Sequence, residues 1–504
     1  MLLIKRLIMQ IEELSDQKLW LLFFIITLVI ILMVQLVILP YVLPFWHAGD
    51  GLLAAGGDWV AFHKTAVEMA ENIKVEGWSA WELRPRGWMP AGVAGAIYAL
   101  SWPKPWTLAP LNAAVHAFTA LMVIKLLFFI SENRRASFIA ALPYVFFPSA
   151  MLWYTQIHRD GYNILGMLLF LYGIFYIFRK DINSSKWSIT ESYGFLAAFC
   201  GVILLWLSRP HTLVMFQYVG LLMLLIITVY LIVLLIKLKI NWKRILVKVV
   251  TMALVMGMTS IFYSLGGDSK YERELTLAED KIYNDNAVSL RETDNYLWAG
   301  RMHAVLPKTQ IAQETRLERL TREYHWERTS WLPQRIDNQF YSLAILRSVS
   351  YPISYGETAS GIDTDVSFHS AVDFIYYLPR ALQISFLAPF PQEWFGEGTR
   401  EATTFFRRVS AFEMSFIYLM LIPVVYGLWI WRRKIEIYLT YLFCTLMMLP
   451  IVYSIPNVGT IYRYRYGYLM LIVSLGVAAF YMLIEKYRQS KSANDKESQQ
   501  YDLQ

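Results

Sequence analysis

Apolar runs of about 20 residues recur along this chain and constrain its fold more than any other feature. The first begins at residue 19 and the last ends at residue 484. A run of that length crosses a bilayer as a single helix. Hydrophobic residues make up 56% of the chain, which exceeds the usual share in a soluble domain. The sequence therefore predicts an all-α polytopic membrane protein.

The basic residues between the apolar runs predict the orientation of the spans. Turns rich in Lys and Arg remain in the cytoplasm. Lys5 and Lys18 precede the first run, and later basic turns recur after every second run, as at Arg134. This pattern predicts about ten spans with both termini in the cytoplasm. The predicted spans are residues 19–45, 107–130, 136–157, 161–178, 193–207, 212–236, 245–265, 411–431, 435–455 and 466–484.

The predicted spans also give the domain organisation. A cytoplasmic N-terminus, 1–18, precedes an N-terminal transmembrane module of seven spans, 19–265, which includes a first outer loop, 46–106. A long extracytoplasmic loop region, 266–410, follows. Within it, residues 372–390 are apolar but carry Asp373, Pro379 and Arg380, which predicts a re-entrant or juxtamembrane segment. The C-terminal spans occupy 411–484, and a charged tail, 485–504, is predicted to be cytoplasmic and unstructured.

A group of charged residues would emerge on the side opposite the basic turns. A polar cluster at one membrane face is commonly a functional site. The group comprises Asp58, Arg84, Arg86, His158, Arg159, Asp160, Arg209, His211, Arg463 and Arg465.

The composition also excludes several classes of protein. The net charge of +7 lies mostly in the predicted cytoplasmic turns, which indicates attraction to anionic lipids rather than nucleic-acid binding. Cys200 and Cys444 both lie inside apolar spans, so there is no disulfide framework and no zinc-ligand spacing. The sequence predicts no metal site and no cofactor, and it leaves a divalent cation open.

Asp58 is the leading candidate in the first outer loop. It directly precedes a short amphipathic stretch, so it suits either of two roles: capping the helix that follows, or acting as a general base at the membrane surface. Other acidic residues of the same loop, including Asp50 and Glu68, are rivals for the second role.

The spacing of Asp58, Phe62 and Ala66 resembles the start of the GT-C class of membrane glycosyltransferases, especially the bacterial relatives of the protein mannosyltransferase family. The resemblance continues in the Pro-initiated apolar stretch 88–93 and in the basic turn 134–136. It covers most of residues 19–178 and the C-terminal span. It implies a GT-C-like fold that transfers a sugar, with inversion, from a polyprenyl-phosphate-linked donor to a glycan, lipid or protein acceptor.

The resemblance also implies roles for single residues. Asp58 would be the base, and a basic residue before the final span, Arg463 or Arg465, would contact the donor phosphate. Many members carry a second acidic residue next to the first, but this chain has Gly57 and Trp59 there. The identity of the base therefore stays open, as does any metal role of that acidic pair.

Each remaining candidate has a functional and a plainer interpretation. Asp160 is the second candidate for a catalytic or acceptor-orienting carboxylate, but it could also pair with Arg159 or cap the next helix. Arg209 and His211 lie in a tight turn and could contact the donor phosphate or outer lipid headgroups. Trp394 could stack on a sugar or lie at the membrane interface. The Tyr residues around Arg463 are also typical of an interface belt.

Three rival functions remain open at this stage. An O-antigen or exopolysaccharide polymerase or ligase has a similar number of spans and outer Arg residues. A transporter of lipid-linked sugars and a non-catalytic assembly subunit are the others. The favoured hypothesis is a glycosyltransferase of the bacterial inner membrane that acts in cell-envelope polysaccharide assembly, with its active site outside the cytoplasm. Its partners would be the lipid-linked donor, the acceptor and membrane lipids.

Overall fold

The computed structural model describes residues 14–54, 58–179, 189–238, 241–265, 324–350, 360–398 and 401–501. Within these ranges the regular structure is helical, apart from isolated β-bridges at His47–Leu53 and Gly361–Asn457. Residues 1–13 of the predicted N-terminus and residues 266–323 and 351–359 of the predicted loop region lie outside the described residues.

The helices are numbered in chain order. The N-terminal part contains α1 (Asp16–Met33), α2 (Trp59–Glu76), α3 (Met89–Leu100), α4 (Ala109–Ser131), α5 (Arg134–Phe146), α6 (Pro148–Thr155), α7 (Asp160–Arg179), α8 (Ile189–Ser208), α9 (Leu213–Leu238) and α10 (Trp242–Leu265). The C-terminal part contains α11 (Gln334–Ser350), α12 (Ala371–Leu387), α13 (Glu401–Ile430), α14 (Ile435–Ser454) and α15 (Val458–Tyr501). Helix α1 continues as a π-helical segment, Val34–Val42.

Eight helices of the described chain are long and apolar enough to cross a membrane, or nine if the bent pair α5–α6 counts as one span. The chain is therefore a multi-pass membrane protein. The eight are Asp16–Val42, Pro105–Ser131, Asp160–Phe178, Pro210–Lys237, Trp242–Leu265, Thr404–Ile430, Ile435–Ser454 and Val458–Lys491. The predicted span 193–207 corresponds to a shorter apolar stretch, Ser192–Ser208, so the predicted count of about ten is supported only in part.

The predicted third span, 136–157, is broken in the middle. Helices α5 and α6 meet at an angle of 63° around Phe147. Pro148 causes the break, because its ring disfavours a helical conformation at the residue before it, and Phe147 is extended with ψ of 139°. Pro148 itself is well suited to the first position of α6. The break leaves α6 as a separate short helix that leads into His158, Arg159 and Asp160.

The turns between spans are divided between two ends of the helical bundle. At one end, Asp16 pairs with Lys125 at 2.7 Å, and Glu132 pairs with Lys434 at 3.0 Å. These contacts join the start of α1, the end of α4 and the turn before α14. The turns that carry Asp160, Arg209 and Arg463 meet at the other end. The basic turns predicted to be cytoplasmic are thus separated from the predicted functional residues.

The structure also shows the conformation of two other predicted segments. Most of the predicted segment 372–390 lies in α12, a helix of 17 residues that is not among the eight candidate spans. The prediction of an unstructured tail is wrong as far as Tyr501, because α15 continues to that residue.

Candidate functional site

The loop before α2 is attached to the end of α6. The Gln35 side chain donates to the Thr155 carbonyl at 2.6 Å, and the Leu53 amide donates to Gln156 Oε1 at 3.0 Å. The Trp59 indole in turn donates to the Leu53 carbonyl at 2.6 Å. These bonds hold Asp58, which directly precedes Trp59, beside the turn of His158, Arg159 and Asp160.

Asp58 does not act as a helix cap. It occupies the N-cap position of α2, but its side chain makes no capping hydrogen bond. The carboxylate instead lies 3.6 Å from the Arg463 guanidinium. Burial opposes ionisation of this carboxyl, but Arg463 and Arg159 outweigh it and hold its pKa below the usual range. Asp58 is therefore an ionised carboxylate that pairs with Arg463 rather than capping α2.

Asp160 is the centre of the ion pairs at this end of the bundle. It pairs with Arg209 and, at 3.1 Å, with Arg463, and it lies 3.3 Å from Nδ1 of His158. In the described chain its ion pairs are with these two arginines rather than with Arg159, so the alternative of a local pair between Arg159 and Asp160 is wrong. Asp160 links the starts of α7 and α15 to the turn before α9.

Arg159 brings positive charge that the cluster does not neutralise. Its buried Nε has no hydrogen-bond partner among the described residues. Burial and the neighbouring Arg209 lower its pKa, while Asp58 and Asp160 oppose that effect from a distance. At least three guanidinium groups, those of Arg159, Arg209 and Arg463, thus surround two carboxylates. Burial lowers the pKa of His158 to about 4, so His158 is neutral near pH 7.

Tyr464 also belongs to this cluster, a role that sequence analysis missed. The Arg209 guanidinium lies 3.8 Å from the centre of the Tyr464 ring, and that of Arg463 lies 5.0 Å away. The Tyr464 hydroxyl accepts a hydrogen bond from Arg463 at 3.3 Å. The neighbouring Tyr466 packs inside the bundle against Trp153. The interface-belt interpretation therefore does not describe these two tyrosines.

Arg465 lies outside the cluster, in contrast to its predicted role at the donor phosphate. Because α15 is regular, residues two apart point about 200° away from each other. Arg465 is fully buried and donates to the carbonyls of Ile384, Ser385 and Ala388, at the end of α12. A cation at the carboxyl end of a helix is favourable, so Arg465 fixes α12 to the bundle.

Among the described residues, Trp394 contacts segments away from the cluster. Its indole donates to the Pro389 carbonyl at 2.8 Å, and its ring packs on Tyr418 with centroids 5.6 Å apart. His211 is exposed and lies within electrostatic range of Arg159 and Arg209, so it borders the cluster. In the ranges that the structure describes, no group of three or more His, Cys, Asp or Glu residues is arranged to hold a metal ion.

Comparisons with known proteins give no further guidance. No protein-family model, curated protein or solved structure matches this chain. The function must therefore be argued from the cluster itself, which combines one accessible carboxylate with an excess of guanidinium groups at one end of a membrane-spanning bundle.

Proposed function

We propose that this chain is a GT-C-like membrane glycosyltransferase that moves a sugar from a polyprenyl-phosphate donor to an acceptor hydroxyl. The observation that carries the proposal is the Asp58 carboxylate, which caps no helix and lies 3.6 Å from Arg463 in an arginine-rich cluster. The acceptor is a glycan, lipid or protein at the outer face of the bacterial inner membrane. The pathway it serves is cell-envelope polysaccharide assembly.

The chemistry needs one base and one anion-binding site. Asp58 takes the proton of the acceptor hydroxyl as its oxygen attacks the anomeric carbon from the side opposite the phosphate. The bond between the anomeric carbon and the phosphate oxygen breaks, and polyprenyl phosphate leaves as a stable anion with inversion at the sugar. Guanidinium groups that face the departing phosphate stabilise its growing charge.

Asp58 is a better base than Asp160 because fewer cations hold it. Among the described residues, the Asp58 side chain is 21% exposed and has one Arg within ion-pair distance, whereas that of Asp160 is 6% exposed and is paired with two. A carboxylate fixed between two arginines has little tendency to accept a proton. We therefore assign Asp160 to holding Arg209 and Arg463 in place, and Asp58 to proton transfer.

The charge balance favours a phosphodiester as the donor. A sugar joined to a polyprenyl phosphate carries one negative charge. The three arginines and two aspartates of the cluster leave one positive charge. Within the described chain, the Nε of Arg159 has no hydrogen-bond partner and can donate to a phosphate oxygen. Arg159, Arg209 and Arg463 are thus the proposed phosphate ligands. A guanidinium matches the geometry of phosphate oxygens better than an ammonium does.

The proposal is tested with the full chain in proteoliposomes that contain a set of polyprenyl-phosphate hexoses and an envelope extract as the source of acceptor. The assay measures release of polyprenyl phosphate. We expect release by the wild type and a loss of about 100- to 10,000-fold in Asp58→Asn. Asp50→Asn is the matched control, since Asp50 lies in the same loop but pairs with Lys104 and His63.

The same assay distinguishes the rival functions. Release of polyprenyl diphosphate from a diphosphate-linked oligosaccharide would favour a polymerase or ligase. Movement of intact lipid-linked sugar across the bilayer, without release, would favour a transporter. Full activity in Asp58→Asn would show that the base is another residue.

A further inference from the structure

A buried carboxylate on α13 joins two of the segments that build the cluster. Glu413 is fully buried within the candidate span Thr404–Ile430, where an unpaired carboxylate is costly. It accepts hydrogen bonds from the Ser149 amide at 2.9 Å, from Ser149 Oγ at 2.5 Å and from the Tyr462 hydroxyl. The proposed reaction uses none of these three residues.

The first partner controls the position of α6. Ser149 is the second residue of α6, directly after the 63° break, where amide groups of the new helix have no partner within it. Glu413 satisfies one of these amides and places a negative charge at the positive end of α6. Helix α6 ends at Thr155, and His158, Arg159 and Asp160 follow at once. Glu413 therefore fixes the start of the short helix that carries this turn.

The second partner controls the position of Arg463. Tyr462 directly precedes Arg463 in the first turns of α15. Arg463 lies 3.1 Å from Asp160 and 3.6 Å from Asp58, so a shift of this turn changes both distances. Packing on the same side supports the connection, since the Phe147 and Phe416 rings are 5.4 Å apart.

We propose that Glu413 is a positioning residue, which sets the separation between Arg463 and the two carboxylates Asp58 and Asp160 by holding Ser149 and Tyr462 together. This inference rests on the proposed function for its effect on turnover, but its structural part stands independently. Glu413 does not touch the reacting atoms. A displacement of about 1 Å in an active site lowers turnover by about 100-fold, so loss of this connection affects the reaction directly.

The test compares Glu413→Gln, Glu413→Ala and Tyr462→Phe in the full chain. Ser415→Ala is the matched control, because Ser415 is exposed on the same helix and donates to the Ala411 carbonyl within that helix. We expect kcat per folded protein to fall by about 10- to 100-fold in Glu413→Ala and by less in Glu413→Gln, which keeps part of the hydrogen bonding. The KM for the lipid-linked donor should rise as well, because the segments that Glu413 holds lead to Arg159 and Arg463, two of the proposed phosphate ligands.

A double variant separates positioning from general destabilisation. If Tyr462 acts through Glu413, then Glu413→Gln combined with Tyr462→Phe lowers kcat less than the product of the two single effects. The two substitutions keep the side-chain volumes nearly unchanged, so they remain informative even if Glu413→Ala does not fold. Normal kcat per folded protein in Glu413→Gln and in Tyr462→Phe would overturn the proposal.

Hydrogen exchange measured by mass spectrometry tests the structural part without any assay of activity. We expect faster exchange in peptides that cover residues 149–160 and 458–466 in the Glu413 variants, and wild-type exchange in Ser415→Ala. Altered exchange together with no sugar transfer by the wild type would reject the proposed function while retaining Glu413 as the residue that fixes the cluster. Unaltered exchange would reject the role of Glu413 itself.

Discussion

Asp58 and Asp160 lie in one cluster but have different contacts, and substitution should separate them. Asp160→Asn removes the carboxylate that the buried Arg209 and the partly buried Arg463 share. Removal of one member of a buried ion pair costs about 3–5 kcal/mol. Asp58→Asn removes a longer and more exposed contact, which is expected to cost less than about 1 kcal/mol. Thermal and denaturant unfolding in detergent would measure the loss of stability in each variant. Equal destabilisation by the two variants would contradict the different roles assigned to Asp58 and Asp160.

His158 should make the stability of the protein depend on pH. Burial lowers its pKa from 6.5 to about 4 in the folded chain, although Asp160 opposes this shift. Between these two pH values the unfolded chain binds the proton and the folded chain does not, so stability falls as the pH falls from 6.5 towards 4. The effect has a ceiling of about 1.4 kcal/mol per pH unit.

The measurement for His158 is a series of unfolding midpoints across this pH range. In His158→Asn the decline towards low pH should be shallower than in the wild type. Other groups that titrate in the same range contribute to both proteins and cancel in the comparison. Parallel curves for the two proteins would show that His158 is not buried in its neutral form.

Sequence analysis identified most members of the cluster but not their partners. Asp58, Arg159, Asp160, Arg209 and Arg463 could be found because span boundaries follow from hydropathy, and each boundary marks a turn at a known end of the bundle. Which side chains then meet depends on helix phase and packing. Arg465 illustrates this limit, because its partners are carbonyls of α12, a segment distant in sequence.

At the scale of the helix, close packing of α7 on α8 depends on glycine. A Cβ added at Gly173 would lie 2.5 Å from the Gly194 carbonyl oxygen and 2.6 Å from the Ala198 amide nitrogen. Small residues allow helix backbones to approach closely within a membrane. We expect Gly173→Ala to lower the free energy of unfolding by about 1–3 kcal/mol, since the backbones must move apart.

Gly257 in α10 provides the matched control for this prediction. A Cβ added there meets no atom within 4 Å. Gly257→Ala should therefore change stability by no more than about 1 kcal/mol, with any gain due to the better helix propensity of alanine. Denaturant unfolding measures the free energy of unfolding of both variants and tests this prediction. Equal effects of the two substitutions would show that α7 and α8 are not in close contact.

The break between α5 and α6 shows what hydropathy could not predict. Residues 136–157 read as one continuous span, because the apolar character persists through the break. Pro143 lies inside α5 without ending it, whereas the helix does break before Pro148, five residues later. The second site also has a tertiary contact, since Glu413 on α13 accepts a hydrogen bond from the amide of Ser149 at the start of α6. A partner so far away in sequence cannot be identified from the local pattern.

For the whole molecule, the fold class and the separation of the two ends could be predicted, whereas the number of spans could not. Many apolar runs and basic turns lead to the same fold class, so an error at one span boundary does not change that prediction. Short helices such as α3 and α6 fall below the length of a span, and their depth depends on neighbours.

The orientation of the whole molecule is the remaining premise of the proposed function, and two serine positions test it. Ser330 is exposed in the segment that precedes α11. Its neighbour Thr329 accepts a hydrogen bond from the amide of Ala371, the first residue of α12. The Tyr453 hydroxyl, at the end of α14 and close to the start of α15, donates to the Phe374 carbonyl in the first turn of α12, so Ser330 belongs to the end that carries the cluster. Ser490 is exposed on the distal part of α15, at the opposite end.

We expect a membrane-impermeant maleimide to label Ser330→Cys in intact cells, and to label Ser490→Cys only after the inner membrane is permeabilised. Cys200 and Cys444 are first replaced, because both are free thiols. The expectation follows from the basic turns, which gather at the end of the bundle away from Arg463. The reverse labelling would place the cluster in the cytoplasm. Nucleotide-linked sugars are available there, so the argument for a lipid-linked donor would fail even if the chain proved to transfer sugar.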